Sequence, residues 1–290
     1  MGKSPCTGAC KLDGTTGWCI GCGRSGDEIA DWGSRSTTSR DRVWDQIPDR
    51  LSELGVTCRR LPWTTEEIRT FVARSLEKRR GTWVMGVVGA VAEFIAAPDA
   101  QVEIEVNGCD VTARTRNGAL RMHINDDARA VTFDPPGLAA EPRIVIAVKR
   151  SLGRLPLSEG IADLGPDNGL LPDPEGRLYD LGLGRKDARF CVRVANGMAQ
   201  RALDQANGRT LMQTLSQIAP PLIAESPTRV VETALGRIEV QGQIPPPGAR
   251  SPEGPHTHLL PDHLATGRAL PVGMELPRSY IPGAIFYPRT

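Results

Sequence analysis

Val102–Glu103–Ile104–Glu105–Val106–Asn107–Gly108–Cys109–Asp110–Val111–Thr112–Ala113–Arg114–Thr115–Arg116–Asn117–Gly118–Ala119–Leu120–Arg121–Met122–His123–Ile124 carries the chain into a period of two. Val102, Ile104 and Val106 alternate with Glu103 and Glu105, which makes one face of an extended segment apolar and the other charged. Asn107–Gly108 is a strong hairpin signal, because both residues tolerate the positive φ that a two-residue turn needs. Val111–Arg114 supplies the return strand, Arg116–Asn117–Gly118 turns again, and Leu120, Met122 and Ile124 alternate once more. Downstream, Ala130–Phe133 and Ile144–Val148 read as strands around the breaker Pro135–Pro136–Gly137. The expectation is an antiparallel meander of four or five strands.

Helical patterns flank this stretch. Thr65 is a candidate N-cap, with Glu66 and Glu67 in the first turn and Ile68, Phe71, Val72 and Leu76 inward. The apolar run Val84–Ala97 reads as a second helix stopped by Pro98, and residues 55–63 read as a linker. Nearer the N-terminus, residues 25–32 suit a short helix with Asp27 and Glu28 in its first turn. Thr37 or Thr38 caps the next, which places Trp44, Ile47, Leu51 and Leu54 on one face and Pro48 where a kink or break is expected. Residues 151–188 read as ordered loop with a helical turn. Phe190–Val194 and Arg237–Val240 read as strands, and Met198–Gln205 and Leu211–Ile218 as helices. The final 45 residues hold nine prolines, which predicts a tail with little regular structure.

These patterns predict an α+β protein in two parts. Residues 1–54 form a small metal-bound helical module, 55–63 a linker, and 64–290 a domain built on an antiparallel sheet with flanking helices and a proline-rich C-terminal tail. A chain of 290 residues suits one or two domains. Lys+Arg 35 against Asp+Glu 34 leaves a net charge of +1, which argues against a polybasic nucleic-acid coat. The N-terminus lacks the apolar stretch of a signal peptide, and Gly81–Ala92 is too short for a bilayer needing ~20 residues. A cytoplasmic protein without a membrane segment is expected.

Four of the seven cysteines fall at Cys6, Cys10, Cys19 and Cys22. In a reducing compartment such a cluster reads as a metal site, not a disulfide framework. Four thiolates close a tetrahedral zinc site or hold an iron–sulfur cluster. Gly21 and Gly23 around Cys22 let backbone amides approach sulfur, and Arg24 offsets the negative charge. Four cysteines with no histidine before His123 point to a closed, structural or electron-transfer site.

Ser4–Pro5–Cys6, Cys10, Thr16–Gly17–Trp18–Cys19, Gly21–Cys22–Gly23–Arg24 and Asp27–Glu28–Ile29–Ala30, with Trp32 beyond, carry a resemblance. Over residues 4–54 the chain resembles a short bacterial cysteine-rich domain of no assigned function, often labelled a predicted iron–sulfur protein. The resemblance implies four metal ligands, at Cys6, Cys10, Cys19 and Cys22, and implies no reaction. Spacing leans to zinc and the label to iron–sulfur, so one zinc ion or one cluster per chain is expected.

A second candidate site is Gly254–Pro255–His256–Thr257–His258–Leu259–Leu260–Pro261–Asp262–His263. His256 and His258 share a face of extended backbone and, with His263 or Glu253, could ligate a metal or do acid–base work near neutrality. The alternative there is a proline-rigid structural loop. Asp180–Leu181–Gly182–Leu183–Gly184–Arg185 reads as a tight structural turn and not a phosphate loop, since it lacks the third glycine. Cys191 suits a buried strand position. Cys58, beside Arg59 and Arg60, reads as a solvated linker cysteine.

The functional expectation is a metal-binding protein with a binding or regulatory role, meeting a protein partner through its N-terminal module. The alternatives are an enzyme centred on His256, His258 and His263, and an iron–sulfur redox or sensor protein. Nucleic acid is the disfavoured partner.

Overall fold

A computed structural model describes residues 4–7, 10–87, 90–96, 100–134, 141–151, 155–171, 176–184, 188–244, 254–258, 276 and 279–289. In chain order the elements are α1 (Gly26–Ala30), α2 (Thr37–Glu53), β1 (Arg59–Arg60), α3 (Thr65–Glu77), β2 (Gly81–Val87), β3 (Ala90–Phe94), β4 (Glu103–Asn107), β5 (Asp110–Thr115) and β6 (Gly118–His123). They continue with β7 (Ala128–Thr132), β8 (Ile144–Lys149), β9 (Ala162–Asp167), β10 (Gly176–Asp180) and β11 (Ala188–Val194). Last come α4 (Met198–Ala206), α5 (Leu211–Glu225), β12 (Thr228–Thr233), β13 (Gly236–Val240), β14 (His256–His258) and β15 (Tyr280–Pro288). The class is α+β, with two antiparallel sheets.

The 102–124 stretch forms the expected strands, but Val106, read on the apolar face, is exposed. Val106 opposes Val111 across the first turn, and Gly108 opens that turn at φ +57°. Ala113 opposes Leu120 across the next pair. The meander then divides. β4, β5 and β6 enter an eight-stranded sheet of order β4-β5-β6-β13-β12-β11-β10-β9, whereas β7 and β8 cross to a seven-stranded sheet of order β1-β7-β8-β15-β2-β3-β14.

The two sheets face each other over one core. Val111, Leu120, Met122, Val231 and Ile238 of one meet Trp83, Met85, Phe94, Ile144, Ile146 and Phe286 of the other. α3 closes one end with Ile68, Val72 and Leu76, which recur at helical spacing and are buried. Each such side chain contributes ~1.5–3 kcal/mol when removed from water. Thr64 caps α3, one residue earlier than expected, in a reciprocal capping box with Glu67. α4 and α5 cover the far half of the eight-stranded sheet, where Ala199, Leu203, Ile218 and Leu222 pack on Tyr179, Val192 and Val194.

Several expectations are corrected. Val84–Ala97 is no helix but the β2–β3 hairpin, in which Trp83 opposes Phe94. A strand buried on both faces loses its alternation, and its apolar run then resembles a buried helix. Residues 151–188 contain β9 and β10, paired through a register shift at Leu178/Tyr179. Pro48 does not split α2, which starts after Ser36 and holds Val43, Ile47 and Leu51 buried against Trp32. α5 runs through Pro220 and Pro221 to Glu225. Within the last 45 residues, β15 is a central strand, paired with β8 and β2. Most of the remaining tail lies outside the described residues. Arg59–Arg60, inside the stretch read as a linker, pairs with Val131–Thr132, and Cys58 packs on an adjoining apolar cluster. Among the described residues, no helix is long and apolar enough to cross a membrane.

Candidate metal centre

The N-terminal cysteines sit on a short, heavily hydrogen-bonded loop. Asp13 ties the turn that leads to Cys19, accepting from the amides of Thr15 (3.1 Å) and Thr16 (2.8 Å) and from the Thr16 hydroxyl (2.9 Å). Leu12 bridges to Cys19 and Trp18 to Ser25, a minimal two-stranded frame. Within it the amides of Cys22 and Gly23 donate to the Cys19 carbonyl at 3.2 and 2.7 Å, forming a tight knuckle. Gly23 takes φ +70° here, and a Cβ on it would stand 3.3 Å from Leu51 Cγ, so glycine lets the knuckle rest on α2.

Cys19 and Cys22 are buried, Cys6 is half-buried and Cys10 is exposed. The thiols sense one another. The charge of Cys6 and a hydrogen bond with it push the Cys10 thiol above its usual range, with Cys19 adding to the effect. Burial pushes Cys22 up, against the neighbouring Arg24, whose Nε lies 3.5 Å from the Cys22 sulfur. The Arg24 guanidinium also stacks over Trp32 at 4.7 Å. Beside it, Arg50 donates to Glu28 at 2.6 and 3.2 Å and to the Gly23 carbonyl at 3.1 Å, and lies over Trp18 at 5.4 Å.

Four thiols beside one cation are the donor set that a soft metal ion takes as thiolates. Among the described residues, no group of three or more His, Cys, Asp or Glu is assembled to hold a metal ion. The donor types fit the expected group. The Cys6–Cys10 limb precedes the Cys19–Cys22 knuckle in the chain.

That limb is anchored at both sides. The Thr7 hydroxyl donates to the Gly21 carbonyl of the knuckle at 2.8 Å. Toward the body, Tyr280 donates its hydroxyl to the Cys6 carbonyl at 3.2 Å, Ser279 donates to the Thr7 carbonyl, and Arg60 donates to the Ser4 carbonyl. Burial holds the Arg60 guanidinium down to about 10, with Tyr280 acting the other way. The cysteine limb is thus fastened to the start of β15 and to β1.

The second candidate site is arranged differently. His256 turns onto the sheet, with Nδ1 2.7 Å from the Gly254 carbonyl and Nε2 3.4 Å from the fully buried Glu93 carboxylate. His258 pairs its backbone with Val91; its side chain, His263 and Glu253 lie outside the described residues. β14 is the far edge of the seven-stranded sheet, and His256 stands level with Ile285, five residues along β15 from Tyr280. Strand spacing and rise put His256 roughly 20 Å from Tyr280.

Other readings resolve simply. Asp180 accepts from the Gly182 amide at 2.9 Å and the Ser158 amide at 3.3 Å, and Gly182 takes φ +68°, which makes a structural turn. Cys191 is fully buried, and burial raises its thiol well above the usual range. Cys58 is a correction: it is half-buried, and burial pushes its thiol up to about 12 despite the two adjacent arginines.

Sequence reasoning missed a buried charge network on the outer face of the eight-stranded sheet. Glu239 meets Arg193 (3.0 Å) and Arg237 (2.6 Å), Asp167 meets Arg237 (2.9 Å) and Arg193 (3.3 Å), and Glu232 meets Arg189 (2.7 Å) and Arg237 (3.3 Å). Arg237 and Glu239 alternate with Ile238 and Val240, a pattern that marks a polar face but not a covered one. The Asn168–Leu171 loop covers it.

Residues 4–51 match a family described as "Protein of unknown function (DUF1289)", which supports an N-terminal cysteine-rich domain of unknown function. No curated protein and no solved structure matches the chain. Residues 67–290, the two-sheet body from α3 through β15, match the "Family of unknown function (DUF6925)", and the chain belongs to that family.

Proposed function

We propose that Cys6, Cys10, Cys19 and Cys22 hold one metal centre per chain, a zinc ion or an iron–sulfur cluster, in a protein with a binding or regulatory role. The observation that supports this is the triple fastening of the Ser4–Thr7 limb. Carbonyls of Ser4, Cys6 and Thr7 accept from Arg60, Tyr280 and Ser279. Ligation at Cys6 would draw on the same backbone that holds the start of β15, a central strand. The centre's state would therefore be felt by the body, as a structural or sensing metal requires. A protein partner would meet the exposed surface around Cys10, and the near-neutral net charge disfavours nucleic acid.

The test is metal and acid-labile sulfide content, with an absorption spectrum, on untagged full-length protein purified without oxygen, followed by hydrogen exchange before and after chelation. One zinc per chain without colour, or iron with matching sulfide and a brown absorbance, both lost in Cys19→Ser, supports the reading. Faster exchange at the Tyr280 and Ile281 amides after chelation supports the coupling. Protein that takes up neither metal on anaerobic reconstitution overturns it.

A further inference from the structure

A cleft of about 390 Å³ runs along α3, from Glu66 to Lys78, beside the end of β15. Its walls include Phe71, Arg74, Ser75, Lys78, Arg80 and Phe286. Phe286 and Ser75 are buried, and Phe71 is half-buried, so the floor is aromatic. The floor is rigid: Phe71 meets Phe286 edge-on at 5.2 Å and Trp63 at 5.0 Å, and the Trp83 indole donates to the Ser75 hydroxyl at 2.9 Å. Gly81 permits this packing, because a Cβ there would meet the Phe286 ring at 2.6 Å.

Three carboxylates, Glu66, Glu67 and Glu141, share the lining with three cations, Arg74, Lys78 and Arg80, and each carboxylate already has a partner. Glu141 is engaged by Arg80 at 2.9 Å, Glu66 by Arg69, and Glu67 by the Thr64 amide in the capping box. Arg74 and Lys78 are exposed and have no side-chain partner among the described residues. They stand one helical turn apart on α3, close enough for both heads to reach one oxyanion. The dipole of α3 accounts for cations on its last turn. It does not account for their position over an aromatic floor beside carboxylates that are all committed elsewhere. The volume is at the small end of ligand pockets, which typically combine an apolar wall with a few convergent polar groups.

We infer that this cleft binds a small anion with a flat apolar body, an aryl carboxylate or aryl phosphate, whose ring lies on Phe71, backed by the buried Phe286, while Arg74 and Lys78 hold its charged end. The four-cysteine proposal does not bear on it, because the cleft is made by α3 and β15 of the body.

The test is an NMR titration of the 15N-labelled full chain with benzoate and with phenyl phosphate, reading the Trp63 and Trp83 indole N–H signals. Benzyl alcohol supplies the ring without charge, and inorganic phosphate the charge without a ring. Saturable shifts with one or both aryl anions, in the ~1 mM range suited to so small a ligand, are expected. Binding at least tenfold weaker is expected for benzyl alcohol, for inorganic phosphate, and for the aryl anions with an Arg74→Gln/Lys78→Gln variant whose melting temperature is unchanged. The preferred aryl anion identifies the head group. Equal binding of benzyl alcohol, undiminished binding by the variant, or no saturable shift with either aryl anion would overturn the assignment.

Discussion

Replacing Glu239 by glutamine should destabilise the body by about 3 kcal/mol, and the network supplies the reasoning. The Glu239 side chain is fully buried, and its carboxylate accepts from Arg193 (3.0 Å), Arg237 (2.6 Å) and the Leu170 amide (3.1 Å). Glutamine keeps the shape but places an NH2 donor among donors and removes the charge opposing two guanidinium groups. Removing one partner of a buried ion pair costs ~3–5 kcal/mol. The lower end applies, because Asp167 also reaches Arg193 and Arg237, and Glu232 reaches Arg237, so neither cation is left alone. In a domain of this size ~3 kcal/mol corresponds to a drop of roughly 6–12 °C in melting temperature. The assay is chemical and thermal unfolding of wild type, Glu239→Gln, Arg193→Gln and the double variant. The double variant restores charge balance, so its loss should fall short of the sum of the single losses by ~0.5–3 kcal/mol. A Glu239→Gln loss within ~0.5 kcal/mol of zero, the range of an ordinary surface change, or strict additivity, would show that these buried pairs add no net stability. The loop would also respond, since Gly169 lies so close that a Cβ would stand 2.2 Å from the Arg193 guanidinium.

Two further outcomes follow from the N-terminal region. Burial pushes Glu28 up, but hydrogen bonds from Arg50 and the Ser25 amide outweigh it and hold the carboxyl below its ordinary 4.5. A depressed folded-state value gives stability that is complete above pH 4.5 and is lost as pH falls through the lower folded value. The advantage of wild type over Glu28→Gln in unfolding experiments should therefore shrink below pH 4.5, and a gap that stays constant there would contradict the ion pair. Cys58, with a thiol near 12, should resist iodoacetamide at pH 8 in the folded protein, where roughly 10⁻⁴ of it is ionised, and react after denaturation. Peptide mass spectrometry reads this directly, and equal rates in the folded and unfolded chain would show that the site is open.

Elements with a strong local pattern are legible in the amino-acid order. The Val102–Ile124 meander, α3, α4 and the short helix with Asp27 and Glu28 in its first turn are legible because alternation, helical spacing and terminal charge are local signals. The cysteine spacing was legible for another reason: ligand type and turn length are local properties. Tertiary structure alone decided the rest. β2, β3 and β15 are covered on both faces, so the Val84–Ala97 stretch carries no period of two and reads as a helix, and the prolines at 282 and 288 hide a central strand. β9 carries Gly165 and Pro166, which suit the edge it occupies but read locally as loop. Which carboxylate meets which arginine on the 189–239 face, and that Tyr280 reaches back across 274 residues to the Cys6 carbonyl, are long-range pairings. Local propensity carries no trace of such pairings, because their energy appears only once both sheets have formed.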